Sequence, residues 1–193
     1  MPDSTSFLPE SYWVVVDKFL AGENPVRFNE EATHQRLDAL LDAGFDTFIY
    51  LTQTDELPTY MTLLKGKGQA NDRQINYHRF PILDRGLPSH SEMTIILDTL
   101  DKALSNGHKV YLHCWGGVGR TGTTVGCYLV RHGRTGQQAV DQIAEWWRDI
   151  PKRRIYPRSP ETDEQVQSSA RNARAKSLTS GRSRPSAYYV HAR

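Results

Sequence analysis

The stretch Val110-Tyr-Leu-His-Cys-Trp-Gly-Gly-Val-Gly-Arg-Thr-Gly-Thr123 constrains the fold more than any other part of the chain. Val110 to Leu112, β-branched and aromatic, reads as a buried strand. Trp115 to Gly119 forms a glycine-dense turn. From Thr121 the pattern is helical, carrying Val125 and Leu129, until Gly133 ends it. Strand, tight loop and helix N-terminus thus follow one another directly. Such a junction aims backbone N–H groups and the positive end of a helix dipole at one point, which suits an anion.

Cys114 and Arg120 sit inside this loop with five residues between them. A cysteine beside a helix N-terminus and an arginine favours the thiolate, the nucleophilic form. The planar fork of an arginine binds two phosphoryl oxygens at once. Thiolate, amide cradle and bidentate arginine together describe phosphoryl transfer to cysteine.

Other readings of the glycines fit less well. Gly117-Val-Gly119-Arg-Thr-Gly122 matches G-x-G-x-x-G, but a dinucleotide fold needs a second strand ending in an acid about 20 residues on, where this chain looks helical. Gly117 to Gly122 also has Walker A spacing, yet Thr123 stands where the lysine is required. A structural turn around a buried cysteine explains neither Arg120 nor so many glycines.

His113-Cys114-x5-Arg120-Thr121 resembles the active-site loop of the cysteine-based protein tyrosine phosphatases, in particular the small dual-specificity branch. The resemblance implies Cys114 as nucleophile and Arg120 as phosphoryl ligand. It implies backbone phosphate contacts along Trp115, Gly116, Gly117, Val118 and Gly119, and a hydrogen bond from Thr121 to the leaving thiolate. His113 would fix the loop through the backbone. No metal and no cofactor is implied, and the scattered histidines form no metal pattern.

Before this loop, residues 11–16 read as a strand and Lys18 to Leu20 as its short partner, with a turn over Ala21 to Pro25. Glu30 to Ala43 reads as a helix with Leu37, Leu40 and Leu41 inward, ended by Gly44. Thr47 to Leu51 is a clear strand. Leu57 to Leu64 reads as a short helix broken by Lys65-Gly-Lys-Gly68. Ile75 to Phe80 alternates as a strand. Met93, Ile96, Leu97, Leu100 and Leu104 share a helical face closed by Asn106-Gly107. A helix over 139–149 follows the central unit. Ser159-Pro160-Glu161-Thr162 predicts a last helix with Ser159 as N-cap and Pro160 at its first turn. The expectation is an α/β fold: a central, mostly parallel sheet of about five strands with helices on both faces. The resemblance implies the same fold over residues 10–170.

A cysteine phosphatase needs a proton donor for its leaving group. Asp84, in Phe80-Pro-Ile-Leu-Asp-Arg-Gly, follows a strand and is the only carboxylate between Ile75 and Ser91. The dual-specificity branch carries its general acid in a similar Pro-Ile-x-Asp context, so the resemblance assigns Asp84 that role. The Trp-Pro-Asp sequence of the larger tyrosine-specific enzymes is absent. Arg85 reads as a solvated neighbour. Gln165, ahead of Gln167, is a candidate for orienting the hydrolytic water, against the plainer reading of a solvent-facing helix position. Cys127 reads as packed core rather than a redox partner. Trp115 either stacks on an aromatic leaving group or packs the loop.

The substrate expected is a phosphoprotein or phosphopeptide bearing phosphotyrosine, with phosphoserine and phosphothreonine as further possibilities. The phosphoinositide members of the superfamily usually carry lysines inside the loop, and none stands there here. A small phosphorylated metabolite, a silent phosphate-binding module and a sulfur-transfer enzyme remain as alternatives.

Composition adds the boundaries. The 193 residues suit one domain, read as 1–176. Of 24 basic residues, six lie in 168–193, where there is no acid, leaving 18 against 22 acidic residues elsewhere. The Ser-rich segment 177–193 reads as a disordered, solvated tail, with no nucleic-acid partner expected. No apolar run spans a membrane and no export signal opens the chain, so a reducing cytoplasm is expected. Oligomeric state is not legible.

Overall fold

The computed structural model describes residues 8–56, 59–70 and 72–171. Its centre is a five-stranded sheet in the order β1-β2-β5-β3-β4. The strands are β1 (Ser11–Val15), β2 (Phe19–Gly22), β3 (Thr47–Tyr50), β4 (Asn76–Arg79) and β5 (Val110–His113). Only the β1–β2 pair is antiparallel; the other three pairings are parallel. The expected α/β architecture is what the chain adopts. β2, β3 and β5 are buried at every position, as strands covered on both faces must be.

Helices cover both faces. α1 (Glu30–Asp42) and α2 (Met61–Ala70) lie on one side, where Leu37, Leu40 and Leu64 pack with Leu20, Phe48 and Tyr111. The other side holds α3 (His90–Ser105), α4 (Gly119–Arg131) and α5 (Gly136–Trp147), with Ile96, Leu100, Val125 and Ile143 against Phe19, Ile49 and Leu112. A 3-10 turn, Pro151–Arg154, and α6 (Asp163–Arg171) complete this layer. α4 is buried along its length from Gly119 to Val130. α6 approaches it closely where Gly126 has no side chain: a Cβ there would lie 2.5 Å from the Ser169 Cβ.

Three boundaries differ from the sequence reading, each for a packing reason. β2 runs through Ala21 and Gly22, where a turn was expected, because these residues pair with Leu112 and His113. α2 begins at Met61 and runs through Gly66 and Gly68 rather than stopping before them. A glycine costs a helix about 1 kcal/mol. Close packing offsets this: a Cβ on Gly68 would lie 2.5 Å from the Ile75 side chain, and the Lys67 ammonium pairs with Asp38 at 2.7 Å. Ser159 does not cap α6. Its hydroxyl donates to the Val118 carbonyl at 2.7 Å, and the Ser159-Pro160 peptide is cis. The cap is Thr162, whose Oγ1 accepts from the Gln165 N–H while Gln165 Oε1 accepts from the Thr162 N–H. This is a T-x-x-Q capping box. The expected tail, 177–193, lies outside the described residues.

Candidate active site

The four parallel strands end on the same edge of the sheet, and the segment after each contributes to one site, as open α/β sheets commonly arrange. β5 is followed by the loop from Cys114 to Val118. β2 is followed by Glu23 to Arg27, β3 by Thr52 to Glu56, and β4 by Phe80 to Gly86. The structure therefore brings Cys114, Arg120 and Asp84 together from separate parts of the chain.

The loop folds over Cys114, which is 3% exposed. The Gly117 N–H donates to Cys114 Sγ at 3.3 Å. Gly117 has φ +75, and a Cβ there would lie 2.7 Å from the Gly22 carbonyl carbon. Both the turn and the contact with β2 require glycine. α4 begins behind the loop with Val118 at its N-cap and no side chain accepting from its first amides. Those donors and the helix dipole point at the thiol side of the loop, a ready anion cradle. Trp115 is 54% exposed, and its carbonyl accepts from Asn24 N–H at 3.0 Å.

Arg120 is buried at 3% exposure, and its guanidinium is organised from three sides. Glu56 takes both terminal nitrogens, Nη1 at 2.6 Å and Nη2 at 2.8 Å. The Ile82 carbonyl accepts from Nη1 at 3.0 Å. Asp84 Oδ1 lies 3.0 Å from Nη2. The end of the fork is thus used by Glu56. The side edge, with Nε and the second Nη2 hydrogen, is left as the edge a phosphoryl group can take, with Asp84 close to Nη2. Burial alone raises the Glu56 pKa, but its hydrogen bonds from Arg120 and the Gln53 N–H outweigh this and hold it below its ordinary value. Burial alone lowers that of Arg120, and Glu56, Cys114 and Asp84 together push it up.

Sequence reasoning missed Glu56. The one usable signal was its place in the acidic turn Thr54-Asp-Glu56 after a buried parallel strand. Glu56→Gln keeps an acceptor but loses the charge. It is expected to lower the unfolding free energy by about 1 kcal/mol, read from denaturant titration, the difference between a charged and a neutral hydrogen bond to a buried arginine.

His113 is fully buried behind the loop. Nδ1 lies 3.0 Å from the Cys114 carbonyl, which can only accept, so Nδ1 carries the proton. Nε2 then accepts from the Tyr60 hydroxyl at 2.5 Å. Burial pulls its pKa down from 6.5 to about 4, while the bond to the Cys114 carbonyl opposes this. A neutral native histidine that charges on unfolding lowers stability as pH falls through that window. Unfolding free energies from denaturant titration are expected to hold down to about pH 6.5 and then drop by on the order of 3 kcal/mol toward pH 4. The depressed Glu56 adds loss in the same direction below its ordinary value. A flat profile between these limits would contradict the buried neutral assignment.

Two expected residues are placed differently from their anticipated roles. Thr121 Oγ1 donates to the Gly22 carbonyl at 3.3 Å, so its single proton is not aimed at Cys114. Gln165 is fully buried, not solvent-facing as its helical position suggested. Its Oε1 accepts from Glu161 and Thr162 N–H, and Nε2 donates to the Gly86 carbonyl at 3.2 Å. A Cβ on Gly119 would touch it at 2.8 Å. Gln165 therefore ties the Asp84 turn to α6 and the start of α4, with both Oε1 lone pairs used. Gln167 is exposed. Arg85, at φ 58, lies 3.8 Å from Glu161. Cys127 is fully buried in the apolar layer, as expected of a core cysteine.

A family model described as "Swiss Army Knife protein, DSP-PTPase phosphatase domain" matches residues 10–186. The chain belongs to the cysteine-based protein tyrosine phosphatase superfamily, in its dual-specificity branch. Among curated proteins it is 29% identical over 144 residues to the dual specificity protein phosphatase CDC14B of Mus musculus, covering 70% of this chain and 26% of that one. It is 29% identical over 106 residues to the cyclin-dependent kinase inhibitor 3 of Sus scrofa, covering 52% of this chain and 47% of that one. The chain thus spans between about a quarter and a half of these relatives' lengths. The kinase associated phosphatase KAP superposes with a TM-score of 0.63 at 22% identity, covering 78% of this chain and 83% of that one. PTPMT1 in complex with PI(5)P gives 0.62 at 20% identity, covering 84% and 94%. These two structures share the fold. No helix among the described residues is long and apolar enough to cross a membrane.

Proposed function

We propose that this protein is a metal-independent, cysteine-dependent phosphatase that hydrolyses phosphotyrosine in proteins, with phosphoserine and phosphothreonine as further substrates. The observation that supports it most is the convergence of Cys114, the Arg120 side edge and Asp84 at the amide-lined end of β5. In the first step the Cys114 thiolate attacks phosphorus. The bond to the ester oxygen breaks, and Asp84 protonates the departing oxygen. In the second step water attacks the phosphocysteine, Asp84 takes its proton, and the P–S electron pair returns to sulfur. Arg120 and the loop amides hold the three equatorial oxygens throughout.

His113 supports the loop and has no free nitrogen for proton transfer. Thr121 can donate to the leaving thiolate only by rotating its hydroxyl away from Gly22. Gln165 serves this scheme by holding the Asp84 turn, and orients water only if its amide is released from the cap. Trp115 offers an exposed ring beside the cradle on which a phosphotyrosine can stack. A thiolate chemistry of this kind fits a reducing cytoplasm.

The test is phosphate release from an aryl phosphate at mildly acidic pH with chelator present, followed by phosphotyrosine, phosphoserine and phosphothreonine peptides. Turnover that survives chelation and favours phosphotyrosine supports the reading. Thiosulfate sulfur transfer without phosphate release would replace it with the sulfur-transfer alternative.

A further inference from the structure

The C=O and N–H of a trans peptide point in opposite directions. A loop that cradles an anion with its amides must therefore turn its carbonyls outward. Here the carbonyls are held there by donors. The Cys114 carbonyl faces His113 Nδ1 at 3.0 Å, that of Trp115 accepts from the Asn24 N–H at 3.0 Å, and that of Val118 from the Ser159 hydroxyl at 2.7 Å. The Gly116 carbonyl accepts from Lys152 Nζ at 3.0 Å. Of these four donors, the ammonium is the one that carries a full charge.

The Gly116–Gly117 peptide is also the one whose N–H donates to Cys114 Sγ, at 3.3 Å. Lys152 thus holds the far end of the peptide unit that faces the nucleophile. Both residues of this unit are glycines, so local sterics leave its orientation open. Turning it over changes chiefly ψ of Gly116 and φ of Gly117. Gly117 has φ +75, and a glycine adopts either sign of φ about as readily. The turned peptide would aim the Gly116 carbonyl at the thiolate and the phosphoryl oxygens, which it repels. What is bonded at its two ends therefore decides which way the peptide faces.

Lys152 is itself firmly placed. Its carbonyl accepts from the Ile155 and Tyr156 N–H groups at 2.9 and 2.8 Å, which closes the turn around it. Its own N–H donates to Glu10 Oε2 at 3.3 Å, and its ammonium donates to Glu23 Oε2 as well as to Gly116. Glu23 is held in turn by Arg27 and Arg36 on Oε1. Burial lowers the Lys152 pKa, and the charges of Glu10 and Cys114 oppose this.

We propose that Lys152 is a positioning residue of the active site: its ammonium, seated on Glu23, fixes the Gly116–Gly117 peptide with its N–H toward Cys114 and so keeps the loop in its anion-binding form. The effect on turnover rests on the phosphatase reading; the effect on phosphate affinity does not. Lys152 acts through the peptide and contacts no reacting atom.

The experiment measures the Kd of inorganic phosphate by titration calorimetry, together with kcat and KM on an aryl phosphate. The proteins are the wild type, Lys152→Met and Lys152→Arg. Methionine keeps the length and apolar stem but donates nothing, and Glu23 retains two arginines, so no buried charge is left unpaired. Lys152→Met is expected to raise the phosphate Kd and KM together by about tenfold, the worth of one charge-assisted hydrogen bond. Its kcat should stay within about twofold, because saturating ligand draws the loop back to its binding form. Lys152→Arg, which can reach both Glu23 and the carbonyl, should restore all three values. The tenfold loss should persist at high salt, where a mere loss of positive charge near the site would be screened. Denaturation midpoints check the fold, and Lys152→Gln, shorter and neutral, replaces the methionine variant if that one is unfolded. An unchanged phosphate Kd in a folded neutral variant overturns the role of Lys152. So does a fall in kcat with Kd and KM unchanged, a loss that vanishes at high salt, or an arginine variant as impaired as the neutral one. A wild type that binds phosphate without turnover overturns the phosphatase reading, and its phosphate Kd still decides the role of Lys152. A wild type that neither binds phosphate nor turns over overturns both.

Discussion

Cys114→Ser is expected to lower kcat on an aryl phosphate by about 10^4-fold or more while leaving the fold in place. The loss follows from what surrounds the side chain. A serine hydroxyl must give up a proton to attack, and the site offers no base for it. His113 is the nearest imidazole, but both nitrogens are committed, one to the Cys114 carbonyl and one to Tyr60. Asp84 lies 3.0 Å from Arg120 Nη2 and is proposed to serve the leaving oxygen instead. The fold survives because serine is nearly isosteric and can still accept from the Gly117 N–H. Arg120 keeps Glu56, Ile82 and Asp84. The variant should therefore still bind a phosphopeptide, and its denaturation midpoint should stay close to the wild type. A Cys114→Ser protein with near wild-type turnover would rule out thiolate chemistry.

Asp84→Asn is expected to separate substrates by leaving group. With an activated aryl phosphate the departing oxygen needs little protonation, and kcat should fall by about tenfold. With an alkyl phosphate the proton is required, and the loss should reach about 10^2- to 10^4-fold, the range for a positioned acid. Asparagine keeps the shape and removes a negative charge from beside Arg120. KM for phosphopeptide should hold steady or drop. The Asp84 side chain is 68% exposed, so the change leaves no buried cavity and stability should hardly move. Equal losses on both leaving groups would remove Asp84 from the proton-transfer role.

The parts of the site legible in the sequence are the ones built from neighbours along the chain. β5, the glycine loop and α4 lie within one stretch, and strand periodicity, glycine density and the position of Arg120 all bear on the same few residues. Asp84 was legible because it is the only carboxylate in its turn. Glu56, Tyr60 and Lys152 were not. Each meets the loop from a distant segment, Glu56 across 64 residues and Lys152 across 36, and nothing in its local pattern marks it. Gln165 shows the same limit from the other side. Its helical position suggested solvent, but its amide is engaged by the Glu161 and Thr162 N–H groups and the Gly86 carbonyl, and it is buried. Its T-x-x-Q box was visible in the sequence, and would have placed the helix start at Thr162 instead of Ser159. Helix propensity marks the glycines of α2 as breakers, and tertiary packing of Gly68 against Ile75 overrides it.

The proposed reaction passes through a covalent phosphocysteine at Cys114. The most direct measurement is to mix excess enzyme with an aryl phosphate, quench in acid within one turnover, digest, and locate any added phosphoryl group by mass spectrometry. The Asp84→Asn variant, slowed in the second step, should accumulate the adduct further. The expected result is one phosphoryl group on the peptide carrying Cys114, absent from Cys114→Ser. Phosphate release in a full burst with no phosphoryl group on Cys114, or with the group on another residue, would contradict the mechanism.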